Sequence, residues 1–443
     1  MRLCNSGLAA FFFLPLTLSA QTPQDLAQII ERLNRLEKEN HALAEEVRVL
    51  KARLDGTAGG ESEQAETPPV PVEQRLAIQE NRVQEQDQTK VEASQRFPVK
   101  LTGILLFNAF MNSKQSGTSD YPTFAAPTGT ARSGAKVTQS VIGLEFRGPR
   151  TFLGGQVKGS VFMDFFGSGN AALRLRTGSV ELRWKTRSVM AGVEKPIFNP
   201  REPNSLALLG VSPLTGAGNL WQWLPQARFE QDYSFSHSSG VRAQMGVVQT
   251  REIPFAGSTF SGPQEPARPA AEGRFEVFHH LDDERKLEFA AGFHRSNTHA
   301  GGGTADSSLY SLDWFANPWQ RVEFTGAFYK GQDVAPTGNG IGQGFLVIGK
   351  TVRPVHSIGG WGQFTIHTVR RLDFHLFTGQ QDDTNRDLIG GLIGKNLLYG
   401  GNAYFLLAPN VRLALEATQV RTTYLGQGLR INNHYDLALA YYF

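Results

Sequence analysis

Cysteine is nearly missing from this 443-residue chain, with Cys4 as its one representative. Cys4 lies ahead of an apolar run from Leu8 to Leu18, so a chain cut after that run keeps no thiol. Disulfides, thiolate metal sites and cysteine nucleophiles are thereby excluded. Lipidation, which needs its cysteine directly after the cut, is not expected. Long apolar runs are equally scarce. Beyond the first stretch nothing approaches the ~20 consecutive apolar residues of a membrane-spanning helix. Hydrolase signatures are missing too: there is no Gly-x-Ser-x-Gly, no His-Glu-x-x-His and no metal-spaced set of histidines. His279 and His280 are adjacent, and on a strand they would point to opposite faces. No catalytic residue, metal ligand or cofactor is expected, and no nucleic-acid partner.

What is present starts with a processing signal. Met1-Arg2, the apolar run and Ser19-Ala20 read as a secretory signal peptide over 1–20. Residues 21–96 then hold 10 Lys+Arg against 15 Asp+Glu, a balance of −5, whereas 97–443 hold 33 against 26, a balance of +7. The two parts are different structures. Leu26, Leu33, Val47 and Leu54 occupy one heptad position, interrupted by Asn40, and Ile29, Leu36, Leu43 and Leu50 occupy the second. That pattern predicts an α-helical coiled coil over 21–55, with Asn40 setting register in a parallel homo-oligomer. A lone amphipathic helix packed on another surface is the alternative. Residues 56–97 read as a linker, with a weak heptad at Leu76 and Val83 marking a candidate second short helix.

From 98 onward the text changes to segments of about ten residues with a period of two, predicting an all-β transmembrane barrel over 98–443. At its end Tyr435, Leu437, Leu439, Tyr441 and Phe443 share one face, with His434, Asp436, Ala438, Ala440 and Tyr442 opposite. Ile142, Leu144 and Phe146 oppose Glu145 and Arg147, and Leu287, Phe289, Ala291 and Phe293 oppose Lys286, Glu288 and His294. Charge recurs on the face away from lipid, which indicates a watered lumen. Short turns near Arg147 to Arg150, Lys185 to Ser188, Leu281 to Glu284, Asn317-Pro318 and Ala408 to Asn410 alternate with longer stretches. The longer ones lie near 112–136, 196–226, 251–271, 332–355 and 381–394. This count gives about sixteen antiparallel strands, with Trp184, Trp314 and Trp319 as an aromatic girdle at the short-turn end.

The stretch Leu105-Leu106-Phe107-Asn108-Ala109-Phe110, and the run from Leu407-Ala408-Pro409-Asn410 through Tyr435 to Ala440, are similar to barrel sequences of Gram-negative porins. With the signal, coiled coil and linker, the chain resembles the trimeric outer-membrane porins of the DcaP-like kind and the broader phosphate-selective porin O/P group. The resemblance is one of architecture. It implies a homotrimer in the outer membrane, in contact with lipid and lipopolysaccharide, passing small hydrophilic and anionic solutes by diffusion.

One pattern match is set aside. Gly344 to Thr351 satisfies the P-loop spacing, but glycines precede it, Pro354 follows it, and its middle is bulky and apolar, so a strand or loop is expected. Asp382, Asp383, Asn385 and Asp387 form an oxygen-rich segment read as a solvated loop, since the spacing fits no calcium loop. The connection from Pro196 to Leu224 is the informative one. It carries Leu206 to Leu209, Gly210, Gly216, Gly218 and Trp221-Gln222-Trp223, too apolar to lie in water. Folded inward it would narrow the lumen, with Lys195, Arg201 and Arg228 at the eyelet and Glu194, Glu202 and Glu230 opposing them. A subunit interface is the alternative.

By parity the lumen cations are Arg147, Lys158, Arg183, Arg242, Arg274, Lys286 and Arg412. The acids are Glu145, Asp164, Glu181, Glu276, Glu288, Glu323, Asp373 and Glu416. Many of these are expected to pair, and the +7 balance tips the lumen toward anions. Arg174 and Arg176 share parity with Val180, Leu182 and Trp184 and are expected at the outer rim, against lipid phosphates. The expected function is a passive outer-membrane pore with its coiled coil in the periplasm. A structural anchor carrying a periplasmic coiled-coil tether is the rival.

Overall fold

The computed structural model describes residues 99–167, 171–250, 252, 268–300 and 302–443. The expected signal peptide, coiled coil and linker lie outside the described residues. The wall opens with β1 (Val99–Asn112), β2 (Arg132–Lys136), β3 (Val141–Arg150), β4 (Gln156–Asp164) and β5 (Arg174–Arg183). It continues through β6 (Arg187–Glu194), β7 (Leu224–Ser234), β8 (Ser239–Gln249), β9 (Pro269–His280) and β10 (Lys286–Ala300). Then come β11 (Gly303–Trp319), β12 (Val322–Gln332), β13 (Phe345–Ile348), β14 (Thr351–Pro354) and β15 (His356–Val369). The last four are β16 (Leu372–Asp383), β17 (Ile393–Ala408), β18 (Val411–Tyr424) and β19 (Gly428–Tyr442).

All wall pairings are antiparallel, and β19 pairs back onto β1 from Ile104↔Tyr442 to Asn112↔His434. Phe443 completes the seam: its backbone N–H donates to the Gly103 carbonyl and its own carbonyl accepts from Gly103. Closure removes the free edges that lipid would not satisfy. Strands β2 and β3 pair with the two halves of β1 and form one broken wall strand. At the break Ser140 Oγ accepts from the Leu106 N–H, so the interrupted ladder is satisfied by a side chain. The barrel is therefore sixteen-stranded, and β13–β14 is a separate hairpin.

That hairpin contains the P-loop spacing. Phe345 to Ile348 are a strand, Gly349 turns at φ 62°, and Thr351 to Pro354 pair back, so no helix N-terminus is offered to a phosphate. Two expectations about connections need correction. The stretch near 112–136 is not all loop, since Arg132–Lys136 is a wall strand. Nor are all connections on the long-loop side long, since Ala300 to Gly303 and Tyr424 to Gly428 are tight.

Pleating sorts the residues as lipid and water require. Leu105, Phe107, Met111, Phe289, Leu376, Leu415, Tyr435, Leu437 and Leu439 are exposed on the outside, while Asn108, Glu416, His434 and Asp436 are buried inside. Trp319 stands exposed where β11 ends, and Trp184 follows β5 in the short turn, its indole N–H donating to the Phe152 carbonyl. Trp314 is higher on the outer face, packed over Gly326.

Candidate functional site

The connection between β6 and β7, residues 195–223, folds inside the barrel. Its contacts follow the inner wall. The Ile197 N–H donates to Glu272 on β9 at 2.8 Å, and the Phe198 carbonyl accepts from Ser311 on β11 at 3.0 Å. The Asn204 N–H donates to Gln363 on β15 at 2.7 Å, and the Asn204 carbonyl accepts from Asn402 on β17. Ser205 Oγ donates to Glu416 on β18 at 2.6 Å, and the Leu206 carbonyl accepts from Asn108 on β1 at 2.9 Å. The Leu209 and Gly210 carbonyls then accept from Arg176 and Arg174 on β5. The first half of the loop thus circles the inner wall.

The return half runs nearer the long-loop rim. The Gly216 carbonyl accepts from Asn396, and Ala217 packs with Trp361, Phe377 and Leu398. Gly218 sits at φ +96°, where an added Cβ would collide with the Gly360 and Gln380 carbonyls. The backbone needs glycine there both for conformation and for close approach.

The apolar residues that made this loop unfit for water are what hold it. Leu206 packs with Leu106, Tyr404, Ala414, Ala438 and Ala440, and Phe198 and Leu220 pack with Leu309, Tyr329 and Val334. Ile197 and Leu224 pack with Val248 and Ala270. Each such side chain gains about 1.5–3 kcal/mol by leaving water. The lumen face opposite the loop is apolar where it meets these residues and polar elsewhere.

The loop does not fill the lumen evenly. On β15–β19 the inner residues Trp361, Phe377, Leu398 and Val420 are at most 3% exposed. On β3–β8 Asp164, Met190 and Glu230 are buried too, but several inner side chains stay partly open, Arg147 exposed and Lys158, Glu181, Arg228 and Arg242 half-buried. A cavity of about 580 Å³ lies there toward the short-turn rim, lined among others by Lys100, Glu145, Arg147, Lys158, Ser160, Ser179 and Glu181.

Two groups stand out among the charged residues. One is a continuous chain of ion pairs across β5–β11. Arg183 meets Glu181 at 2.7 Å, and Arg242 meets Asp232 at 2.8 Å and Glu276 at 3.4 Å. Glu230 stands between Arg183 and Arg242, at 3.8 and 3.7 Å, and accepts from Gln244. Arg274 meets Glu276 at 2.5 Å and Asp313 at 2.8 Å. Arg201, from the loop, meets Asp313 at 2.5 Å and Glu288 at 3.1 Å, and Lys286 closes the chain on Glu288 at 2.6 Å. The second group makes no ion pair among the described residues: Arg147 faces Lys158 directly across the strand pair, Lys158 stands opposite Glu181 on its other side, and Arg228 lies opposite Met190 and Gly246. Arg412 stacks over the Tyr442 ring.

The pairing differs from the simple opposition expected around an eyelet. Lys195 pairs with Glu202 at 2.6 Å, but Arg201 turns into the wall and Glu194 accepts from Ser179. Arg174 and Arg176 require the larger correction: they point inward, not to the outer rim. The register shifts between Phe162 and Met163, leaving Arg176 as an extra residue and bringing Arg174 opposite Asp164. A bulge of this kind inverts parity beyond it. Both guanidiniums bond the fully buried Asp164, at 2.6 and 3.0 Å, and both lie over the Trp223 ring of the loop. Counting alternation along β5 cannot find them; the apolar exposed Leu173 and Leu175 between and before them was the available signal.

The oxygen-rich segment is not a solvated loop throughout. Asp383 is buried and accepts from Ser357, Gln381 and Gln343, and Asp387 accepts from His356, so its carboxylates diverge.

No protein-family model matches the sequence, and no curated protein matches it. Among solved structures, the chain is similar to the outer membrane channel DcaP of Acinetobacter baumannii. That match has a TM-score of 0.65 and 14% identity over 78% of this chain and 97% of that one. It is also similar to an anion-selective porin from Comamonas acidovorans, with a TM-score of 0.51 and 14% identity over 79% of this chain and 100% of that one. With a closed sixteen-stranded wall and a long loop lying inside it, the described part of this chain has the fold of the outer-membrane porins.

Proposed function

We propose that the chain is an outer-membrane porin through which small hydrophilic solutes diffuse passively, with a preference for anions. The uneven filling of the lumen carries this reading. The loop is packed mainly against β9–β12, β15–β19 and β1, and touches β5 through Arg174 and Arg176, while the short-turn end of β3–β8 keeps charged side chains partly in contact with water. Arg147, Lys158 and Arg228 stand on that open side without ion pairs among the described residues, and a lumen surface rich in cations favours anions. The likeness in fold to a porin described as anion-selective supports the same sign. In this proposal Lys195 and Glu202 border the narrowest part of the passage, and Arg201 holds the loop in place from the wall.

The rest of the assembly belongs to the same proposal. Residues 1–20 are removed on export, residues 21–55 form a periplasmic coiled coil, and three chains associate within the outer membrane beside lipopolysaccharide. No chemical step is involved; transport follows the concentration gradient. The test is swelling of proteoliposomes that contain the refolded full chain, in isotonic solutions of a small sugar and of a small organic anion. Permeation by both, faster for the anion at matched size, is expected. A correctly folded barrel that admits neither would favour a structural anchor with a periplasmic tether.

A further inference from the structure

The inner wall holds a cluster that a diffusion pore does not need. Asn402 on β17, Glu416 on β18 and Asp436 on β19 are direct cross-strand neighbours in one rung. All three face inward beneath loop residues 204–206 and are only 4–5% exposed. Two carboxylates side by side and out of water repel each other, and neither forms an ion pair with a cation among the described residues. Their hydrogen bonds account for only part of the set. Glu416 Oε2 accepts from Ser205 at 2.6 Å and from Asn402 Nδ2 at 2.9 Å, and Asp436 Oδ1 accepts from Asn108 at 3.0 Å.

Three buried oxygens have no donor among the described residues: Glu416 Oε1, Asp436 Oδ2 and Asn402 Oδ1. Asn402 is the telling one. Its amide NH2 is held by the Asn204 carbonyl and Glu416 Oε2, both at 2.9 Å, so the amide cannot be turned over to give its oxygen a donor. A proton on one carboxylate would remove one of the two charges. A divalent cation would cancel both charges and can draw its ligands from these donorless oxygens.

We propose that Asn402, Glu416 and Asp436 bind a divalent cation of the calcium type that clamps the loop to the wall. Hard oxygen donors, two of them anionic, are the donors calcium takes, and its flexible shell suits three fixed side chains better than the octahedron magnesium demands. No three His, Cys, Asp or Glu side chains converge among the described residues, so the amide oxygen is essential to this set. The clamp is direct. Glu416 holds Ser205, Asn402 holds Asn204, and Asn108, bonded to Asp436, holds the carbonyl of Leu206. With three protein oxygens and water completing the shell, the affinity belongs with extracellular calcium modules, about 10⁻⁴–10⁻³ M.

The test uses the full chain refolded in detergent without lipopolysaccharide, which binds divalent cations itself. Calorimetric titration with CaCl2 alone should show one ion per chain, and millimolar CaCl2 should raise Tm above that in EDTA at matched ionic strength. Both responses should vanish in the Glu416→Gln/Asp436→Asn double variant, which keeps shape and hydrogen-bonding capacity. Wild-type protein that takes up no calcium overturns the proposal, whether or not the variant folds. So does an equal calcium response in wild type and variant. A variant more stable than wild type in EDTA, with no wild-type calcium response, would assign the rung to a shared proton.

Discussion

The Arg201 guanidinium, carried on the inward loop, lies 2.5 Å from the Asp313 carboxylate on β11, and Arg274 of β9 meets the same carboxylate at 2.8 Å. Asp313 is fully buried and balanced by two cations, one of them from the loop. The position of the loop is thereby tied to the charge balance of the wall.

Replacing Arg201 with Gln removes the loop's share of that balance. Charge-assisted hydrogen bonds of this kind contribute about 1.5–3 kcal/mol. Arg274 still covers Asp313, so the barrel should fold, with a loop less firmly held. Single-channel recording should show a larger and noisier conductance than wild type. An unchanged conductance would mean that packing alone holds the loop.

Arg274 and Arg183 should separate sharply in stability. Arg274 is 5% exposed between Glu276 and Asp313, and Arg274→Met leaves buried acids short of a cation, at a cost of about 3–5 kcal/mol. The Arg183 side chain is 44% exposed beside Glu181, and its loss should cost under about 1 kcal/mol. The temperature at which the folded band converts on a denaturing gel compares the two. Similar shifts would contradict the burial argument.

Arg147 and Lys158 face each other and make no ion pair among the described residues, so their charge adds to the field of the passage. Replacing both with Ser should move the reversal potential in a KCl gradient toward potassium. Glu145→Gln should move it the other way. No movement in either variant would place the selective region elsewhere along the passage.

Asp333 supplies a pH dependence. It lies in the loop after β12, is fully buried with no donor to either carboxylate oxygen among the described residues, and occupies φ 47°. Burial, and secondarily the negative charge of Glu252, raise its proton affinity well above the ordinary value of 3.8. The folded state therefore binds the proton more tightly than the unfolded one, and stability falls as pH rises above about 4. Asn tolerates positive φ and carries no charge. Asp333→Asn should raise Tm at neutral pH and converge with wild type below about pH 4. Parallel curves would contradict this assignment.

Much of the wall was legible because alternation has only two outcomes, and Tyr435 to Phe443 declare theirs with aromatics on one face and His434 and Asp436 on the other. The inward loop was legible for a related reason: Leu206 to Leu209 and Trp221 to Trp223 have no place in water. Arg174 and Arg176 were not, because the bulge in β5 inverts parity and only the apolar Leu173 and Leu175 beside them hint at it. Arg132–Lys136 was not, because a short Gly-containing polar strand shows no apolar face. Nor could pairing be read. Asp313 and Arg201 are 112 residues apart, and only barrel closure and the loop's circuit bring them together.

The central claim is a watered, loop-narrowed passage with a cationic bias. Single-channel current through the full chain in a planar bilayer under a KCl gradient tests it most directly. Stepwise openings with a reversal potential on the chloride side are predicted, and a version with residues 200–220 replaced by a short Gly/Ser turn should conduct more. A folded oligomer that stays silent, or one that reverses on the potassium side, would contradict the account.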